Sequence, residues 1–105
     1  MAETLFQLLI AHAIADFGLQ SNWLARNKNR HQEDIKGMWI HALFSHALIH
    51  AGMTLLFTSS TLYALIMLIT HYFIDLGKCE GKYYVHTDQL LHMCVILFIS
   101  IIFYI

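Results

Sequence analysis

Residues 89–105, QLLHMCVILFISIIFYI, decide the fold class. From Val95 onward, only Ser100 and Tyr104 interrupt the apolar side chains. A helix of a soluble bundle would alternate this apolar face with a charged one. A helix that rises about 1.5 Å per residue needs about 20 apolar residues to cross the hydrocarbon core of a bilayer. The stretch is close to that length, and it therefore predicts a membrane-spanning helix.

Three further apolar stretches precede it, at residues 4–19, 38–57 and 62–76. Polar linkers at 20–37 and 77–87 and a short turn at 58–61 separate them. We therefore predict an all-α, integral membrane four-helix bundle with short loops, forming a single transmembrane domain over residues 1–105. The first and third stretches are short, which predicts tilting or local thinning of the bilayer. Residues 21–26 of the first linker, SNWLAR, predict a short helix on the membrane surface.

The composition excludes several classes of protein. The chain is 58% hydrophobic and 12% charged, whereas soluble domains are about 45–50% apolar and about 25% charged. A net charge of -1 provides no basic surface for nucleic acid. Cys79 and Cys94 do not form a spaced pair typical of thiolate metal sites or redox motifs. A cleaved signal peptide is not expected either, because residues 1–10 lack Lys and Arg and the first apolar run contains His12 and Asp16.

The basic residues predict the orientation in the membrane. All of them lie in the two polar linkers: Arg26, Lys28, Arg30 and Lys36 in the first, Lys78 and Lys82 in the second. Loops rich in Lys and Arg stay on the cytoplasmic side. We therefore expect linkers 20–37 and 77–87 to be cytoplasmic and both termini to be on the outer side.

Each predicted helix carries one pair of potential metal ligands spaced four residues apart, and in the last helix the first member of the pair, Asp88, stands at its start. The pairs are His12 and Asp16, His46 and His50, His71 and Asp75, and Asp88 and His92. Residues at this spacing share one face of a helix, which is why the HExxH motif uses it to bind zinc. All four pairs fall in the predicted cytoplasmic half of the membrane. The pattern predicts that eight ligand-type side chains converge at one level of the bundle.

A cation explains this cluster most simply. Three buried carboxylates, Asp16, Asp75 and Asp88, would repel one another or take up protons unless cations neutralised them. A metal-free network with protonated histidines is the main alternative. Imidazole and carboxylate ligands without thiolates favour a divalent transition metal, with zinc preferred. Eight ligands exceed one closed site, so we predict two zinc ions, while one ion with the remaining groups orienting its ligands stays open as an alternative.

Further residues near the pairs are candidates for supporting roles. Gln20 and Gln89 can hold a ligand or a substrate oxygen, and Lys28 and Lys78 can meet a substrate's negative charge. Each of the three aspartates is a candidate general base if only one ion binds. Three histidines are predicted not to be ligands because they lie in linkers or off the shared helix face: His31, His41 and His86.

Five segments together resemble a known family. They are HAIADFGLQ (12–20), NWLARNK (22–28), HALIHA (46–51), HYFIDLGK (71–78) and TDQLLH (87–92). In this order, they resemble the DUF3307 family of small bacterial and bacteriophage membrane proteins, whose function is unknown. The resemblance implies a multi-pass protein of the bacterial inner membrane. A looser similarity to membrane-bound metal-dependent hydrolases suggests a reaction class by analogy.

Three functions remain open at this point. The first is a metal-dependent hydrolase that acts on a phosphate- or lipid-linked substrate near the cytoplasmic surface. The second is a non-catalytic protein in which metal holds a small bundle together for binding and inhibiting another membrane protein. The third is a divalent-cation carrier, although the dry outer halves of the helices argue against a pathway through a monomer. The lipid bilayer is the expected environment in each case, and a homo-oligomer is compatible with all three.

Overall fold

The computed structural model describes residues 2–102, and that range contains helices and no strand. Helix α1 covers Ala2–Ala13 and continues into a π-helical segment, Ile14–Gly18. A short helix α2, Asn22–Asn27, lies within the first linker. The remaining helices are α3 (Met38–Thr58), α4 (Thr61–Cys79) and α5 (Val85–Ile102). The all-α prediction is confirmed.

Four of these helices form a bundle in which each contacts two neighbours. Helix α3 packs against α1 and α4, and α5 packs against the same two helices. Asp16 meets His46 while His12 meets His50, so α1 and α3 run antiparallel. His71 lies against His50 while Asp75 approaches His46, so α4 is antiparallel to α3. Lys78 approaches Asp88 while His71 lies against His92, so α4 is antiparallel to α5 as well. The arrangement is an up-down-up-down four-helix bundle.

The helices on either side of the second linker are longer than predicted. Helix α4 continues to Cys79 instead of ending at 76, and α5 begins at Val85 instead of 89. The polar residues near 77–87 resemble a loop in composition, yet Lys78 and Asp88 lie in terminal helical turns where they approach each other. Only residues 80–84 connect the two helices. The predicted end of the last helix, 103–105, lies outside the described residues.

The first predicted helix, 4–19, is a composite element. Helix α1 and the π-helical segment together span residues 2–18, which corresponds to about 25 Å at α-helical rise. The N–H of Leu19 donates to the carbonyl of Ile14 at 2.8 Å, five residues back. Such π-turns are rare in proteins, but those that occur are often found at functional sites. Here the π-turn contains Asp16 and sets the direction of its side chain.

The first linker folds over one end of the bundle. Ser21 caps α2 by accepting the N–H of Leu24 at 3.1 Å, which confirms the predicted short helix. Asn27 is buried and donates to Trp23 O and to Asp34 Oδ2, and its own oxygen accepts the N–H of Asp34 at 2.8 Å. Helix α2 also packs against α3. These contacts make the linker an ordered cap on the bundle.

Helices α3, α4 and α5 are each long and apolar enough to cross a membrane. They expose large apolar side chains on the outside of the bundle, among them Leu56, Phe73 and Leu90. Inside, a core cluster of four fully buried side chains fills the half of the bundle away from the first linker: Leu8, Met67, Ile96 and Ile99. The polar pairs of the sequence lie on the linker side of this core.

Candidate metal centre

Five buried imidazole rings meet on the axis of the bundle. Helix α1 provides His12, α3 provides His46 and His50, α4 provides His71 and α5 provides His92. The ring centroids of His50 and His71 lie 3.6 Å apart, and those of His71 and His92 lie 4.2 Å apart. The rings belong to all four bundle helices, so the tertiary fold brings together the histidines predicted from their spacing.

Asp16 reaches into this cluster from the π-helical segment. Its Oδ1 lies 3.4 Å from Nε2 of His46 and 3.4 Å from Nε2 of His50. With His71, these residues offer four ligand atoms that all lie within 4.8 Å of one another. Asp16 is 12% exposed, whereas the imidazoles of His46 and His50 are almost completely buried. Within residues 2–102, this is a group that can hold a metal ion.

Several nitrogens of this group have no hydrogen-bond partner. They are Nδ1 and Nε2 of both His46 and His71, and Nε2 of His50. A buried polar atom that lacks a partner costs about 1–3 kcal/mol. Binding a cation would satisfy the lone pairs of such nitrogens, so the donor set fits a metal ion.

Gln89 connects the centre to its surroundings. Its amide nitrogen donates to Asp16 Oδ2 at 2.8 Å and to Asp88 Oδ2 at 3.3 Å, while its Oε1 lies 3.0 Å from Nε2 of His12. An amide oxygen only accepts, so Nε2 of His12 carries the proton and Nδ1 carries the lone pair. That Nδ1 is buried without a partner. A metal bond from His12 would therefore have to use Nδ1.

Asp88 and His92 form a second acidic and imidazole pair next to the first group. Asp88 Oδ1 lies 3.4 Å from Nε2 of His92, and both side chains are 2% exposed. The ring of His92 is tilted by only 19° from that of His71. Asp88 Oδ1 has no hydrogen-bond donor among the described residues. The pair adjoins the group around Asp16, since Gln89 bridges Asp88 to Asp16 and His92 stacks on His71.

Asp75 lies between two lysines. Lys28 Nζ donates to its Oδ2 at 2.7 Å, and Lys78 Nζ lies 3.2 Å from its Oδ1. Lys28 also donates to Gln20 Oε1 at 2.7 Å. Nε2 of His46 approaches Asp75 Oδ2 at 3.6 Å, so this ion-paired cluster adjoins the histidines. The eight predicted ligands thus form one polar layer. The nearest groups to the Asp75 carboxylate are the two ammonium groups, so its role as a metal ligand stays a prediction.

Residues 4–105 match the family described as "Protein of unknown function (DUF3307)". The chain belongs to this family. No curated protein and no solved structure matches it. Because the family description states no activity, the function of this DUF3307 protein has to be inferred from its own polar centre.

The three histidines predicted not to be ligands lie away from the centre of this DUF3307 protein. His31, His41 and His86 are all exposed. His31 instead contacts Glu80, with its Nε2 3.0 Å from Oε2 of the carboxylate. Arg30 pairs with the other oxygen of Glu80, which ties the first linker to the second. Arg30 and His31 hold the pKa of Glu80 below its usual value by hydrogen bonding to the carboxylate.

The burial of Lys28 is the feature of this DUF3307 protein that sequence reasoning did not predict. Its side chain is only 4% exposed although it belongs to a linker. The signal in the sequence is indirect: Ser21 caps a short helix, and the helix ends at Asn27, directly before Lys28. A capped helix fixes where the next side chain points, but only the packing of α2 on the bundle brings Lys28 to Asp75.

Proposed function

We propose that this protein is a membrane-embedded, metal-dependent hydrolase, with zinc as the preferred ion and a phosphate- or lipid-linked molecule as substrate. The observation that carries the proposal is the position of Asp16 Oδ1, 3.4 Å from the Nε2 atoms of two buried histidines on α3. A carboxylate oxygen and imidazole nitrogens that share one buried point are the ligands that zinc uses in catalytic sites.

A metal ion accounts for these contacts better than a metal-free network does. Without a cation, a neutral imidazole can donate to Asp16, but Nε2 of His46 and Nε2 of His50 both lie 3.4 Å from its Oδ1 and neither has a hydrogen-bond partner. Both ring nitrogens of His71 are unpartnered as well, and leaving such buried groups unsatisfied is costly. One shared cation would bind lone pairs of these imidazoles and neutralise the carboxylate.

The stacking of the two rings also supports an open coordination position. The lone pair of an imidazole nitrogen lies in the ring plane, and the planes of His50 and His71 differ by only 22°. Two stacked rings cannot both direct in-plane lone pairs at one ion. Asp16, His46 and one of the stacked pair then provide three ligands, and a catalytic zinc has three protein ligands and a water molecule. A purely structural zinc would have four protein ligands.

Access from one side favours a hydrolase over a cation carrier. Leu8, Met67 and Ile96 lie one helical turn from His12, His71 and His92, and each is at most 2% exposed. On α3 the equivalent position is Thr54, whose buried hydroxyl donates to His50 O at 2.9 Å. These four residues close the bundle on the side away from the first linker. The partly exposed polar groups, Asp16 and Lys78, lie at the linker end. A carrier needs access from both sides, whereas an enzyme needs only one opening.

Residues around the metal position have distinct roles in this proposal. A bound zinc ion would lower the pKa of its water ligand and polarise a substrate oxygen. Asp88 is the best-suited general base of the three aspartates, because Asp16 belongs to the ligand group and two ammonium groups neutralise Asp75. Lys78 is 27% exposed at the linker end of the centre and is suited to meet an anionic substrate.

The membrane location is part of the same proposal. Three long apolar helices support insertion, and the basic linkers support an orientation with linkers 20–37 and 77–87 in the cytoplasm. The centre then opens toward the cytoplasmic surface of the bacterial inner membrane, where lipid-linked phosphates present their headgroups.

The direct test is elemental analysis of protein purified in detergent. We expect stoichiometric zinc in the wild type, and loss of at least about tenfold in zinc affinity in His46→Ala and Asp16→Asn because each removes one ligand. His41→Ala is the matched control, because His41 lies on the same helix but is exposed. Wild-type protein without a stoichiometric transition metal would contradict the proposal.

Activity is tested separately, on phosphoester and lipid-headgroup substrates. We expect hydrolysis that is lost in His46→Ala and reduced by about 10²–10⁴ in Asp88→Asn, the usual contribution of a general base. Metal-loaded, folded protein that cleaves none of these substrates would instead favour the interaction protein held together by metal. Zinc uptake into proteoliposomes that disappears in His46→Ala would favour the carrier.

A further inference from the structure

The linker residue Lys28 provides a buried positive charge inside the polar centre. Its Nζ lies 2.7 Å from Asp75 Oδ2 and 2.7 Å from Gln20 Oε1. The side chain is only 4% exposed. Burying an ammonium group is costly unless it is paired and hydrogen-bonded, and Asp75 of α4 and Gln20 of the linker together meet both requirements here.

The fold of the linker is built to hold Lys28 in this position. The preceding residue, Asn27, is 1% exposed and is bonded to Trp23 and Asp34 on both sides of the turn. Lys28 N donates to Leu24 O at 3.0 Å, which continues the helical hydrogen bonding to the lysine itself. The backbone at residue 28 is therefore held in place, and the hydrogen bonds to Asp75 and Gln20 hold its ammonium group in the centre.

The charge of the centre changes when this lysine is counted. The three carboxylates, Asp16, Asp75 and Asp88, carry three negative charges, and Lys28 and Lys78 return two positive charges. With neutral histidines, one negative charge remains. One divalent cation brings the centre to a single positive charge, which a hydroxide or an anionic substrate balances. A second divalent cation would leave three positive charges in a site of low polarity, where their repulsion is strong.

We propose that Lys28 takes the place of a second metal ion, so that the centre binds one divalent cation per chain. This inference rests on the proposed function, because it assumes that the first ion binds at Asp16 and the histidines. Lys28 neutralises Asp75 as a second zinc would, and its ammonium group lies beside the ligand group, since Asp75 Oδ2 is also 3.6 Å from Nε2 of His46. The centre then pairs one metal ion with one fixed ammonium group, a combination suited to an anionic oxygen of the substrate.

The test is a zinc titration of detergent-purified, metal-free protein, with the bound zinc counted per chain. We expect one tightly bound zinc in the wild type. In Lys28→Met, Asp75 loses its closest cation, so a second zinc should bind at least about tenfold more tightly than in the wild type, a change of about 1.4 kcal/mol. Lys36→Met, at an exposed position of the same linker, should behave like the wild type.

Two further variants separate charge from folding. Lys28→Arg keeps the positive charge and should bind one zinc. The double variant Lys28→Met with Asp75→Asn has the same net charge as the wild type and should also bind one zinc. Two tightly bound zinc ions in the wild type, or one in folded Lys28→Met, would overturn the inference and leave the proposed hydrolase intact. No bound zinc in the wild type would overturn the proposed function and this inference with it.

Discussion

At the scale of single residues, Gln89 links three other side chains of the centre. Its amide nitrogen donates to the carboxylates of Asp16 and Asp88. Its amide oxygen accepts a hydrogen bond from the imidazole of His12. These contacts leave Asp16 Oδ1 directed at His46 and His50. A side chain that orients a ligand without binding the metal commonly changes metal affinity when it is removed.

Gln89→Leu should therefore weaken zinc binding by about 10- to 100-fold, because Asp16 loses the donor that holds its Oδ2. Isothermal titration of metal-free protein measures this affinity. Gln32→Leu, at an exposed position in the linker, is the control. Gln89→Glu should be worse still, since it places a carboxylate against Asp16 and Asp88. Unchanged zinc affinity in both Gln89 variants would show that Asp16 does not need this contact.

At the scale of elements, the two linkers form one layer at the end of the bundle. Arg30 and His31 of the first linker contact the Glu80 carboxylate, at distances of 2.5 and 3.0 Å. Glu33 accepts the N–H groups of Gly37 and Trp39 and so caps the start of α3. Tyr83 adds a hydrogen bond from its hydroxyl to the carbonyl of Ile74 on α4.

The contact between the linkers should depend on pH in a defined direction. The pKa of Glu80 is lower in the folded protein than in an unfolded chain, so its contribution to stability is complete above the ordinary glutamate value of about 4.3. That contribution is lost as the pH falls through the lowered folded value. We expect faster amide hydrogen exchange of Arg30 and His31 in this acidic range, after correction for the intrinsic pH dependence of exchange.

Glu80→Gln tests whether the acid response comes from protonation of Glu80, since glutamine does not titrate. The variant should exchange faster at Arg30 and His31 already near neutral pH and should show no additional loosening in acid. Lys82→Gln, in the same linker, is the control that leaves the carboxylate in place. If exchange at Arg30 and His31 increased in acid as much in Glu80→Gln as in the wild type, a group other than Glu80 would cause the pH dependence.

At the scale of the whole molecule, the bundle separates an apolar half from a polar half. The core of Leu8, Met67, Ile96 and Ile99 occupies one half, and the histidine and aspartate layer lies next to it. Helices α3 to α5 cover this interior with exposed apolar side chains. In the proposed orientation, the polar half faces the cytoplasm because the basic linkers are attached to it.

That orientation predicts which positions react with a membrane-impermeant thiol reagent. In a background with Cys79→Ser and Cys94→Ser, Arg30→Cys should react in inverted vesicles and Ser59→Cys in right-side-out cells. Both positions are exposed, and they lie at opposite ends of the bundle because α3 connects the two regions. The reverse labelling pattern would contradict the positive-inside assignment. Labelling of both positions from both sides would contradict insertion.

The sequence predicted the helical class and the ligand pairs because both are local properties of a helix. Apolar content over about 20 residues indicates a buried or lipid-facing helix, and a spacing of four residues places His46 and His50 on one face whatever the helix packs against. The same local reasoning located the short helix after Ser21. It ended α4 too early and began α5 too late because Lys78 and Asp88 are polar residues inside helical turns.

The tertiary structure alone decided how the pairs are used. The π-turn at Ile14–Gly18 sets the direction of Asp16, and no residue type in that segment signals it. Lys28 and Asp75 are 47 positions apart, and Gln89 and His12 are 77 apart. Periodicity determines the face of one helix, whereas contacts over such separations depend on which faces meet and on how the linker folds. Asp75, one of the three aspartates predicted as metal ligands, is paired with Lys28 and Lys78 because the folded linker and the end of α4 bring these lysines to it.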